Sequence, residues 1–75
     1  MRLTISQIRE RLERKSVEQL KVYCYHNMQL KKADLIDLLE ECGCSPNKEA
    51  TYYDIVYDYK EIVIDILVEL WEQCD

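Results

Sequence analysis

The stretch that decides the fold is residues 51–73, TYYDIVYDYKEIVIDILVELWEQ, which contains no Gly, Pro or Asn. Every second residue from Ile62 to Leu70 is apolar, an alternation that would also suit a β-strand. A run of this length would have to fold back as a hairpin, and it has no turn residue at which to do so. The stretch therefore predicts a helix.

The acidic residues of the same stretch support this interpretation. At about 100° per residue they fall within about 80° of one helix face, because they recur every three or four positions. We call this set the acidic ridge: Asp54, Asp58, Glu61, Asp65, Glu69 and Glu72. The pattern predicts one long helix over about 51–73, with the ridge along one side.

The rest of this helix is apolar over most of its circumference, and such a helix needs cover on more than one side. One strip forms the predicted core face: Ile55, Tyr59, Ile62, Val63, Ile66 and Leu70. The strip beside it is the predicted partner interface, since Tyr and Trp are enriched at binding hot spots: Tyr53, Tyr57, Ile64, Val68 and Trp71. The alternative is that the chain's other helices cover both strips.

Three shorter helices are predicted before it, over about 4–14, 16–28 and 31–42. Thr4 and Ser16 are each followed three residues later by Gln, as in a capping box. Gly43 stands where a helix commonly ends in a left-handed residue, and Pro46 follows it. The prediction is a single all-α domain over residues 1–75, with three short helices packed on the long one.

Charge is unevenly distributed along the chain. Residues 1–32 contain eight basic residues and three acidic ones, whereas residues 33–75 contain two lysines and twelve acids. Such asymmetry gives information about partners rather than about fold. The acidic ridge is interpreted either as a solvated face or as a surface that steers a basic protein partner towards the chain.

Residues 16–42 carry a family resemblance. Two segments resemble the SAP motif and the N-terminal domain of transcription terminator Rho. They are Ser16-Val17-Glu18-Gln19-Leu20-Lys21 and the later run Lys31-Lys32-Ala33-Asp34-Leu35-Ile36-Asp37-Leu38-Leu39. The resemblance implies a helix–extended-loop–helix module that contacts nucleic acid, with Lys31, Lys32 and Lys21 facing phosphate. The connection here, Asn27-Met28-Gln29-Leu30, is shorter than the Gly-containing loop of those families.

The basic half supplies an alternative binding surface for nucleic acid. Its candidate contacts are Arg9, Arg11, Arg14, Lys15, Lys21, Lys31 and Lys32. The net charge of −5 opposes nonspecific binding at long range, although a local basic patch can outweigh it. The competing interpretation is that these side chains pair with the acidic ridge.

No motif indicates catalysis. The chain has one histidine and neither a nucleophile arrangement nor a phosphate-binding glycine loop, so we expect no enzyme, cofactor or small-molecule substrate. Cys24, His26, Cys42 and Cys44 are potential zinc ligands, but Cys24 and His26 would point to opposite sides of a helix, so we expect no metal site. The cysteines are predicted to be reduced thiols, with Cys74 able to form an intermolecular disulfide after purification. The absence of a long apolar run and of a signal-peptide pattern predicts a cytoplasmic protein without a membrane span.

The leading functional prediction is therefore a non-enzymatic helical binding module. It acts by protein–protein association as a homodimer, an adaptor or a small inhibitor, including one directed at nucleic-acid-handling machinery. The acidic, aromatic C-terminal helix is its predicted contact surface. The alternative is a nucleic-acid-binding module that uses the basic N-terminal half.

Overall fold

The computed structural model describes residues 3–73, so Cys74 lies outside the described residues. Five α-helices follow in chain order, with no strand among the described residues. They are α1 (Ile5–Arg14), α2 (Val17–Val22), α3 (Lys32–Glu41), α4 (Tyr52–Asp58) and α5 (Lys60–Gln73), and a π-helical turn (Tyr23–Asn27) directly continues α2. The predicted all-α small bundle is confirmed.

Two capping boxes fix the starts of α1 and α2. Thr4 Oγ1 accepts a hydrogen bond from the Gln7 backbone N–H at 3.2 Å, and Gln7 Oε1 accepts one from the Thr4 N–H at 2.9 Å. Ser16 and Gln19 repeat both bonds at 3.2 and 2.9 Å. These reciprocal bonds satisfy backbone donors that a helix start would otherwise leave unpaired, and they were predicted from the sequence.

The connection from α2 to α3 is short and is closed by backbone hydrogen bonds. The Met28 N–H donates to the Tyr23 carbonyl at 3.2 Å, which is the five-residue spacing of a π-helix, and the Leu30 N–H donates to the Cys24 carbonyl at 2.9 Å. Gln29 reverses the chain in a left-handed conformation with φ of 55°. A tight reversal thus stands where the resembled families have an extended loop.

The C-terminus of α3 ends in a Schellman motif. The Cys44 N–H donates to the Leu39 carbonyl and the Gly43 N–H donates to the Glu40 carbonyl, both at 3.0 Å. Gly43 has φ of 87°, the left-handed conformation that glycine adopts without a steric penalty. The predicted stop at Gly43 is confirmed.

The C-terminal stretch is divided, and this corrects the prediction of one uninterrupted helix over 51–73. Tyr59, with φ of −121° and ψ of 33°, leaves the helical conformation and separates α4 from α5. The two parts pack on different neighbours, since α4 lies on α2 whereas α5 lies on α1 and α3. The break allows each part to turn its own apolar face towards the helices that cover it.

Half of the buried apolar side chains come from α4 and α5. The core consists of Ile8, Leu12, Leu20, Cys24, Leu35, Ile36, Leu39, Ile55, Val56, Val63, Ile64, Ile66, Leu67 and Val68. Ile5, at the first position of α1, is 45% exposed, whereas Ile8 and Leu12 of the same helix are 7% and 1% exposed. The molecule is elongated, measuring 41 × 23 × 20 Å. Among the described residues, no helix is both long enough and apolar enough to cross a bilayer.

Gly43 provides a test of the Schellman motif. A Cβ built at Gly43 meets no atom within 4 Å, so Gly43→Ala introduces backbone strain without a steric clash. We expect the free energy of unfolding to fall by about 1 kcal/mol, measured by urea denaturation.

Gln29→Gly is the matched control, because it removes a side chain from a left-handed residue instead of adding one. It should leave stability unchanged or raise it by up to about 1 kcal/mol. Equal losses at both positions would contradict the assigned conformations.

Candidate functional site

All six carboxylates of the acidic ridge are exposed. Asp65 Oδ1 accepts a hydrogen bond from Arg9 Nη1 at 2.5 Å, and this ion pair joins α5 to α1. Glu61 lines the same shallow hollow as Arg9. Within the described residues the other five acids of the ridge form no ion pair with a basic side chain. By the described side chains, the middle of the ridge is therefore partly neutralised and its two ends are not.

The predicted apolar interface is not a continuous surface. Tyr53 and Tyr57 are 41% and 65% exposed, but Ile64 and Val68 are only 3% and 4% exposed and belong to the core. Trp71 is half-buried against that core. The prediction of an open strip was wrong at Ile64 and Val68, because α1 and α3 together cover more than one side of α5. The alternative, in which the chain covers its own apolar surface, holds for most of α5.

The part of the predicted interface that remains exposed is one face of α4. Tyr53 and Tyr57 lie one helical turn apart, and Asp54 and Asp58 form a parallel pair beside them. Thr51 caps this helix through its Oγ1, which accepts from the Asp54 N–H at 3.1 Å. We call Tyr53, Asp54, Tyr57 and Asp58 the α4 face. It offers two aromatic rings and two carboxylates, and α4 itself contains no basic residue.

Tyr52 fastens the start of α4 to the α2–α3 connection. Its hydroxyl donates to the Leu30 carbonyl at 3.0 Å, and its ring meets the Tyr25 ring edge-on at 6.5 Å between centroids. Burial raises the pKa of the Cys24 thiol to about 11 and also raises the pKa of Tyr52, which the nearby Cys24 raises further. No local sequence pattern indicates this role of Tyr52, because its hydrogen bond spans 22 positions of the chain.

Several candidate nucleic-acid contacts are occupied by interactions within the chain. Besides the Arg9 pair with Asp65, Arg14 Nη2 lies 2.6 Å from Glu10 Oε1, and Lys21 Nζ lies 3.7 Å from Glu18 Oε1. Lys15 Nζ lies 5.8 Å from the centre of the Tyr23 ring. Exposed ion pairs of this kind contribute roughly 0–1 kcal/mol each, so they do not prevent binding, but they lower the local positive charge.

The lysines at the start of α3 differ from those basic residues, which are occupied by interactions within the chain. Lys31, Lys32 and Arg11 form no ion pair with an acid of the described chain. Lys32 shares an open depression of about 420 Å³ with Lys48. Lys48 was not predicted for this surface; the Pro46-containing turn brings it there from the acidic half. Asp37 lines the same depression and opposes its positive charge.

The cysteines and the histidine do not form a metal centre in the described part of the chain. Cys24 is buried, Cys42 is exposed and Cys44 is half-buried, and all three are free thiols. His26 contacts the Tyr25 ring at 5.2 Å between centroids. Between residues 3 and 73 no group of three His, Cys, Asp or Glu side chains is placed to hold a metal ion.

Comparison with known proteins gives no relative: no protein-family model, no curated protein and no solved structure matches this chain. Functional assignment therefore rests on the chemistry of its own surfaces. In the part of the chain that the structure describes, the α4 face keeps predicted aromatic and acidic groups together and exposed.

The raised pKa values predict a loss of stability in alkaline solution. Between pH 9 and about 11 the folded chain retains a proton on Cys24 that the unfolded chain releases. Folding therefore takes up a proton, and the folded state becomes less stable as pH rises. The free energy of unfolding should fall by about 2 kcal/mol across this window, measured by urea denaturation at each pH.

Cys24→Ala is the control for this measurement. The variant is expected to be less stable at every pH because it leaves a cavity, but its stability should change less steeply between pH 9 and 11. Parallel pH curves for the two proteins would contradict the role given to Cys24.

Proposed function

We propose that this chain is a non-enzymatic binding module that associates with a basic protein partner through the α4 face. The observation that carries the proposal is the exposure of Tyr53 and Tyr57 beside two carboxylates that have no cation to pair with in the described chain. Tyrosines provide large, rigid contact area with a polar end, and they are over-represented at hot spots. The carboxylates would accelerate encounter with a positively charged surface.

The structural setting of α4 supports this role. Ile55 and Val56 are 1% and 0% exposed, and the Tyr52 hydroxyl bond holds the start of the helix, so the opposite face is presented on a fixed support. A preorganised helix face loses little conformational freedom on binding, which favours affinity. Free thiols at Cys24, Cys42 and Cys44 are in keeping with a reducing, cytoplasmic environment.

A comparison of matched variants tests the proposal. Three proteins are immobilised and exposed to a cell lysate: the wild type, Tyr53→Ala/Tyr57→Ala and the control Ile5→Ala/Val22→Ala. Mass spectrometry then quantifies the proteins bound to each. Ile5 and Val22 are 45% and 44% exposed, so the control truncates two exposed apolar side chains on other helices. A basic protein from the lysate should bind the wild type and the control. Once this partner is purified, its affinity for the tyrosine variant should be about thirtyfold or more lower than for the wild type.

Further outcomes define the partner. Asp54→Asn/Asp58→Asn should slow association with the purified partner, most strongly at low salt. If the partner is a second copy, the molar mass in solution will be twice 9.0 kDa, and the tyrosine variant will return it to the monomer value. A monomeric chain that binds the same proteins with and without Tyr53 and Tyr57 would overturn the proposal.

A second candidate is a nucleic-acid-binding module that uses the start of α3. The observation that favours it is the convergence of Lys32 and Lys48 on one open depression, next in sequence to the exposed Lys31, which has no acidic partner among residues 3–73. This placement agrees with what the resemblance to SAP and Rho N-terminal modules implies for Lys31 and Lys32. The short connection at Gln29 and the pairing of Arg9, Arg14 and Lys21 weigh against it.

Charge reversal at Lys31 and Lys32 distinguishes nucleic-acid binding from protein binding through the α4 face. Lys31→Glu/Lys32→Glu should abolish binding of a fluorescent oligonucleotide at about 50 mM salt, and wild-type affinity should fall steeply as salt increases. Lys60→Glu changes the net charge outside this surface and should leave most binding in place. No change in fluorescence anisotropy with wild-type protein would exclude this function.

A further inference from the structure

A narrow groove opens where the C-terminal ends of α3 and α5 come together. Its apolar side chains are Leu38, Ile66 and Leu70, its rim carries Glu41 and Glu69, and its volume is about 200 Å³. Small-molecule sites commonly reach about 300–1,000 Å³, so this space is better suited to one large side chain than to a metabolite.

The electrostatics of this end of the molecule are unusual. A helix carries partial negative charge at its C-terminus, where basic side chains normally stabilise it. Neither α3 nor α5 has a basic residue in its last turn. Those turns instead contain Glu40, Glu41 and Glu72. The negative ends of two helices and their carboxylates thus lie beside an apolar groove, without a cation from either helix's last turn.

We propose that this groove binds a basic amphipathic helix of the protein partner. One apolar side chain of that helix enters between Leu38 and Leu70, and flanking Lys or Arg side chains pair with Glu41 and Glu69. A groove between two helices is a common receptor for an amphipathic helix, in which a few apolar side chains provide the anchor. The inference rests on the proposed association with a basic protein and adds a contact site separate from the α4 face.

A second copy of the chain is a poor occupant of the groove. The basic helix available in this chain is α1, and only Ile5, at its first position, is open at 45% exposure, because the other apolar residues Ile8 and Leu12 are 7% and 1% exposed. A second copy would have to unpack α1 from its own α5 to present them. The charge and shape of the groove therefore favour a different protein.

The experiment titrates isotopically labelled full-length chain with a synthetic helical peptide of Leu and Lys, spaced so that the leucines share one face. Amide chemical shifts should move at Leu38, Glu41, Glu69 and Leu70. Replacing the central leucine of the peptide with Ser should abolish binding, since the lysines alone do not fill the groove. Glu41→Gln/Glu69→Gln should weaken binding about tenfold, as loss of charge-assisted contacts predicts.

Glu13→Gln/Glu49→Gln is the matched control, because it removes the same charge from two exposed acids outside both the groove and the α4 face, and it should leave peptide affinity within about twofold. Equal binding of a scrambled peptide of the same composition would reduce the effect to nonspecific attraction and overturn the inference. Shifts confined to Tyr53 and Tyr57, or no binding, would also overturn it. The α4 proposal is decided separately, by the tyrosine variants and the purified partner.

Discussion

The C-terminal stretch must bury apolar side chains against three other helices, and the rest of the structure depends on how it does so. A straight helix would direct its apolar face along one line. The change of backbone conformation at Tyr59 instead lets α4 pack on α2 and α5 pack on α1 and α3. Ile55 and Val56 anchor the first part, while Val63 and Leu67, each 0% exposed, anchor the second.

This division determines which side chains remain on the surface. Cover from two helices removes Ile64 and Val68 from solvent, so α5 has little open apolar surface except near its end. α4 is covered mainly by α2, which leaves Tyr53 and Tyr57 exposed on the side away from its core contacts. The fixed placement of α4 also depends on Tyr52, whose hydroxyl reaches the carbonyl of Leu30 in the α2–α3 connection.

Local features of the fold were predictable from the sequence, and the long-range ones were not. Thr4 and Ser16 with their glutamines, and Gly43 after α3, act within a few residues, so their patterns were sufficient. The break at Tyr59 has no Pro or Gly to indicate it, because it arises from the different neighbours of α4 and α5. Burial of Ile64, and the approach of Lys48 to Lys32, likewise depend on contacts between elements distant in sequence.

The same long-range packing explains how one continuous acidic pattern in the sequence becomes two separate acidic surfaces. α1 lies on α5 and directs Arg9 to Asp65, so positive charge is placed at the middle of the ridge beside Glu61. Within residues 3–73, Asp54 and Asp58 have no basic partner next to two exposed tyrosines, and Glu69 has none next to the Leu38–Leu70 groove. An ion pair at this degree of exposure stabilises the fold only slightly, by less than about 1 kcal/mol. Its larger consequence is spatial, since within the described chain negative charge is left uncompensated beside two accessible apolar surfaces, the α4 face and the Leu38–Leu70 groove.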